Sequence, residues 1–218
     1  MSNLTVTLNS FIDIAFFEML YQSEVSNEDE RFRLVNIINF VTVMMEEICG
    51  RNLKARDYTY DSESNDYDQQ YSIFDPPNGT VFWFPTYPVN SITTLIISDD
   101  TISAASDYDD NEGYFIYKES GKLVYEYGFD PGYYQNVKVA WNGGYNSSHR
   151  KYQELQNLQY LITKKIYDSD VESDSEMISE QLDNYKYIKA DPNKLSKFLS
   201  ISPFVFHNLM RFKRHSFA

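Results

Sequence analysis

The chain has 218 residues, 42% of them hydrophobic, and carries 19 Lys and Arg against 32 Asp and Glu, for a formal charge of −13. That length suits one sizeable domain, or one domain with an appended segment, built around a real core. The acid excess argues against specific binding of nucleic-acid phosphates, which needs clustered cations.

Residues 11–22, "FIDIAFFEMLYQ", read as a short helix with a broad apolar face from Phe11, Ile14, Phe17 and Met19. Asp13 and Glu18 interrupt the apolar run and no basic residues precede it, which argues against a signal peptide. "SNEDE" then marks a helix start, with Asn27 as cap and acids in the first turn, where the positive end of a helix favours them. The helix predicted over 28–49 repeats Leu34, Ile38, Val41, Met45 and Ile48 every three or four residues, widened by Phe32 and Val35, and Gly50 stops it. Cys49 is the single cysteine, so no intrachain disulfide forms, as expected of assembly in a reducing cytosol.

From Tyr58 to Trp141 the apolar period changes to two. Strands are predicted at "YSIF", "VFWF", "SITTLIIS", "YFIYK", "KLVYEY" and "NVKVAW", between "DPPNG", "DYDDNEG", "KESGK" and "GFDPG". Pro85 and Pro88 keep "VFWF" from running on as an inner strand. A third helix is expected over 148–167, apolar at Tyr152, Leu155, Leu158, Ile162 and Ile166. The acidic, hydroxyl-rich "DSDVESDSE" reads as a flexible connector. "DPNKLSKFLSIS" and "PFVFHNLMRFKR" read as two short helices, the second with Pro203 at its first position.

The expected class is therefore α+β: helices at both ends with a central antiparallel set of short strands, plus a C-terminal extension of short helices. The expected division is a core over 1–168, a connector over 169–190 and a docking segment over 191–218. From Asp191 onward one acid faces Lys194, Lys197, Arg211, Lys213 and Arg214. This tail is either a handle for a partner or a set of cations at the negative end of a terminal helix folded back on its own domain. No apolar run approaches the roughly 18 residues of a membrane span.

Sites of chemistry are sparse. "WNGGYNSSH" follows a strand and precedes a helix, but it lacks the glycine spacing and the Lys of a phosphate loop. Gly143, Gly144 and Tyr145 instead read as a structural turn that reverses the strand into the helix. "DYDDNEG" places Asp107, Asp109 and Asn111 at calcium-loop spacing, yet its glycine is one residue late and Lys118 stands where the bidentate acid belongs. His149, His207 and His215 have no metal-ligand spacing. No catalytic set and no cofactor site stand out. Trp83, Phe84 and Tyr87 read as an exposed aromatic loop that stacks on a sugar or a base, or else as core or protein interface. The content of 19 Tyr and 15 Phe favours an assembly component, since Tyr is enriched at protein interfaces.

The order of signals is more specific than any one of them. "CGR" and "YTY" follow the second helix, "YPVNSI" comes next, and "VKVAWNGGY" precedes the third helix. In this order the chain, over about residues 11–168, resembles the phage head-tail connector adaptors, the head-completion proteins beneath the portal of long-tailed phages. It departs from them in lacking a proline soon after Gly144–Tyr145 and in a longer stretch over 61–80. The resemblance implies a virion protein of the neck, assembled in the host cytoplasm, that is structural and not an enzyme. It implies a closed ring of about twelve copies under the portal protein, holding a stopper or tail terminator below, with genomic DNA passing through without specific binding. Portal or neighbour contacts are expected at Phe204, Phe206, Leu209, Met210, Arg211, Lys213 and Arg214. Another neck or tail ring component, or a carbohydrate-binding module using Trp83, Phe84 and Tyr87, are the alternatives.

Overall fold

A computed structural model describes residues 5–7, 9–59, 73–75, 79–105, 113–129, 137–171 and 203–213. The chain is α+β, and it divides into two compact units: one formed by Met1–Gly50 with Ser147–Ala218, the other by Arg51–Asn146. The division falls at 50/51 and 146/147, not near 168, because the helical unit is assembled from two segments far apart in sequence.

In the helical unit, α1 (Ile14–Tyr21) starts three residues later than the apolar pattern suggests. Asp13 is its cap, its side chain accepting from the Phe16 amide at 2.8 Å, so Phe11 and Ile12 are buried lead-in rather than helix. Helix α2 (Glu28–Cys49) has Asn27 as its cap and Gly50, at φ 65°, as its stop, where a left-handed residue is favoured. Its buried stripe includes Leu34, Val35, Ile38, Val41 and Met45, whereas Phe32 points outward at 51% exposure. Helix α3 (Arg150–Val171) begins two residues later than expected and runs on into the acidic stretch. The connector beyond it, and the first of the two C-terminal helices expected from sequence, lie outside the described residues.

A buried polar knot joins these pieces. Gln159 of α3 is fully buried; its amide donates to Ser10 Oγ at 2.9 Å and Thr42 Oγ1 at 2.8 Å and accepts from the Phe11 amide at 2.8 Å. Such a group is tolerated in a core only when its bonds are made, and here the lead-in before α1 and helix α2 supply them. Close by in the sequence, Phe17 and Tyr21 of α1 meet Tyr167 of α3 at centroid distances of 5.5 and 5.6 Å, and the Tyr21 hydroxyl donates to Asp168 at 2.9 Å.

The β unit holds two antiparallel sheets. The first orders β1 (Arg56–Tyr58), β8 (Val137–Gly143), β4 (Val89–Ile97) and β5 (Asp100–Thr101), with β2 (Ile73–Phe74) also on β8. The second orders β3 (Gly79–Trp83), β7 (Lys122–Phe129) and β6 (Tyr114–Tyr117). The very short β1 and β5 carry too little alternation to be read from sequence. Alternate residues of β8, Val137, Val139 and Trp141, point into a core shared with Phe82, Leu123 and Phe129 of the second sheet. Trp141 lies stacked on Tyr58 at 4.4 Å and against Phe84 at 4.5 Å. Trp141→Ala should therefore cost about 3–5 kcal/mol in urea unfolding, and a loss under about 1 kcal/mol would be incompatible with this packing.

The tyrosines also set a pH limit. A hydrogen bond to Asp168 raises the pKa of Tyr21 above its ordinary 10.0, and burial raises those of Tyr114, Tyr125, Tyr152 and Tyr167. Each proton is held more tightly in the folded chain than in the unfolded one, so their stabilisation is complete below about pH 10 and is lost as pH rises through the folded values. Thermal melts at constant ionic strength should show a plateau up to about pH 10 and a fall above it. Tyr21→Phe should make the alkaline limb shallower.

Candidate functional site

The fragments that carry the resemblance come together in the β unit, around its first and last residues. Tyr145 donates from its backbone to Leu53 at 2.8 Å and accepts from the Ala55 amide at 3.0 Å, so residues 53–55 run beside it as a paired stretch. Arg51, only 4% exposed, lies between two rings: its guanidinium is 3.7 Å from the Tyr87 centroid and 5.4 Å from that of Tyr145. It also donates to the Tyr87 carbonyl, and to the Tyr145 hydroxyl at 3.2 Å. A buried guanidinium is tolerable when aromatic faces and carbonyls replace its water, and cation–π contacts gain weight when desolvated.

Further bonds close the cluster. The Gly144 amide donates to the Pro88 carbonyl at 2.8 Å, and Tyr87–Pro88 is a cis peptide. Asn90 donates to Asn142 at 2.7 Å and to the Gly144 carbonyl at 3.0 Å, and accepts from Asn146 at 3.1 Å. Tyr58, stacked on Trp141, accepts from Asn52 at 2.9 Å. Arg51 of "CGR", Tyr58 of "YTY", and residues of "YPVN" and "WNGGY" are thus parts of one interlocked joint.

The expected turn role of Gly143 and Gly144 has a steric cause that sequence does not show. A Cβ on Gly143 would lie 2.1 Å from the Trp141 ring, and one on Gly144 would lie 2.6 Å from the Lys54 carbonyl carbon and oxygen. Gly144 also sits at φ +110°, a region costly for any side chain.

The exposed aromatic loop expected from Trp83, Phe84 and Tyr87 is not a single surface. Phe84 is 3% exposed, in the core beside Trp141, because Trp83 and Phe84 point to opposite sides of the chain. Tyr87 has Arg51 over its ring. Trp83 alone faces outward, on β3, with the Lys122 ammonium 6.0 Å from its ring.

The C-terminal contact residues separate in the same way. Helix α4 (Pro203–Met210) packs on α2 and α3 of its own unit, and its buried residues are Val205 and Leu209, with Phe212 buried in the turn just past its end. Leu209 is therefore a core residue, 1% exposed, and its carbonyl accepts from the Cys49 thiol at 3.6 Å. Phe206 and Met210 are half-buried, Lys213 is exposed, and Arg211 pairs with Glu154 at 3.2 Å. Phe204 stands out at 71% exposure. Arg214 lies outside the described residues, as do residues 107–112 of "DYDDNEG" and His215.

Sequence reasoning passed over Arg51 and Lys122 as individual sites. The signal for the second was available: "TVFW", "YFIY" and "KLVY" are apolar at both parities, unlike a strand with one wet face. Among the described residues no group of three or more His, Cys, Asp or Glu is gathered, and no helix is long and apolar enough to cross a membrane. No family model and no curated protein matches the chain.

Replacing Gly144 tests the joint. Gly144→Ala should destabilise the chain by about 1–3 kcal/mol or more, measured by chemical unfolding, since both the φ and the approach to Lys54 forbid a methyl group. A neutral result would mean that the pairing of Tyr145 with residues 53–55 is not the closure of this unit.

Proposed function

We propose that the chain is a head-tail connector adaptor, a structural ring subunit stacked under a phage portal that continues the DNA channel towards a stopper or tail terminator. One observation carries this reading: the four sequence fragments resembling the adaptors, spread from Arg51 to Tyr145, meet in one joint.

The charge fits the role. A channel wall with excess acid repels the DNA backbone and lets it slide, whereas a basic wall would hold it through released counterions. The portal contact is assigned to the outward side of α4, around Phe204 with Arg211 and Lys213, since aromatic and Arg anchors dominate such contacts. Leu209 has no part in it. Removing residues 191–218 would uncover the faces of α2 and α3 that α4 buries, so point variants are the better probe.

Purified protein mixed with portal rings from the same genome should give electron-microscopy class averages with a second, coaxial ring. Phe204→Asp should weaken that binding without changing the melting temperature of the free chain. Absence of any stacked ring would turn the reading towards a tail-side component.

A further inference from the structure

The second sheet presents two aligned rows on its outer face. Val81, Val124 and Phe115 sit opposite one another across the three strands, as do Trp83, Lys122 and Tyr117. The intervening row, Phe82, Leu123 and Ile116, faces the core. An antiparallel sheet with one wet face alternates apolar and polar, whereas this sheet is apolar on both. All six outer residues are partly exposed, Tyr117 at 48%. An apolar face of this kind on a protein surface marks a site of association.

Among these six residues the charge is on Lys122, and it sets the partner's chemistry; Glu126, exposed and next along the same side of β7, lies beyond the two rows. The Lys122 ammonium lies between the Trp83 and Tyr117 rings, 6.0 and 5.3 Å from their centroids, and makes no ion pair among the described residues. An ammonium held by rings on an apolar face selects a carboxylate flanked by apolar surface.

The chain itself carries such a surface. Glu28 and Asp29, both exposed, open α2, and Phe32, one turn on from Glu28 and therefore on the same side, is 51% exposed. First-turn acids are favoured by the helix dipole alone, but that does not account for a large aromatic left in water beside them. An acidic, aromatic stripe in one place and a cationic, aromatic face in another are complementary between copies, and a contact between two different surfaces is the kind that closes rings.

Resting on the ring-subunit reading, we infer that the Val81–Phe115 and Trp83–Tyr117 rows of one copy seat the start of α2 of the next, with Glu28 or Asp29 against Lys122 and Phe32 on the sheet. The partner is a second copy of this chain.

The test mixes two full-length variants, Tyr117→Cys and Glu28→Cys, under mild oxidation, free in solution at high concentration and again on portal rings. The product expected is a covalent pair containing one copy of each variant, absent when either is oxidised alone. Lys122→Glu in the first variant should cut its yield roughly tenfold or more, and Asp29→Lys in the second should restore it; that rescue also shows that the reversal left the fold intact. A stacked ring seen without the mixed product overturns this contact and leaves the ring reading standing. The mixed product in solution with no ring on the portal supports the contact and overturns the portal assignment. A crosslink from Tyr117→Cys to the portal protein in place of a second copy overturns the inference.

Discussion

The β unit begins at Arg51 and ends at Asn146, and those ends are held together by two backbone hydrogen bonds on Tyr145 and by a guanidinium lying between Tyr87 and Tyr145. Everything else in the unit is arranged around that closure. The Trp141 ring leaves room only for glycine at 143, and the backbone of Lys54 leaves room only for glycine at 144. Because the ends pair inside the unit, its core of aromatic and branched residues closes on itself without relying on the polypeptide on either side.

The helical unit has the opposite construction. Its two halves are separated by the whole β unit, and the bond from the Phe11 amide to Gln159 spans 148 residues. Bringing such distant segments together has an entropic cost that grows only slowly with the length of the intervening loop. A compact insertion with joined ends lowers that cost further, since it behaves as a short tie between α2 and α3. The two constructions are therefore coupled: the joint in one unit shortens the effective loop of the other.

Much of this was legible in local sequence, where the cause is local. Asn27 and Gly50 bound α2 through their own backbone preferences, and the alternation of Val137, Val139 and Trp141 gives their common face. The failures have non-local causes. Period two says that Trp83 and Phe84 face opposite ways but not which way is inward, and the core lies on the side of Phe84. In α4, Phe204, Phe206, Leu209 and Met210 are all apolar, yet the residues buried where it packs on α2 and α3 are Val205 and Leu209, joined by Phe212 from the turn that follows. Asp13 reads as an interruption in an apolar run until its cap bond to Phe16 is seen. Arg51 is the clearest case, since its two aromatic neighbours are 36 and 94 residues away.

Gln159 has a consequence of another kind. Apolar side chains on α2 and α3 would tolerate a slide of one helix along the other by a turn, because one branched aliphatic residue replaces another at little cost. The amide does not. A shift of one turn, about 5.4 Å, would strand its donors and its acceptor in a dry interior. One polar side chain thus acts as an index mark, so the outward faces of both helices keep a constant alignment in every copy of the chain.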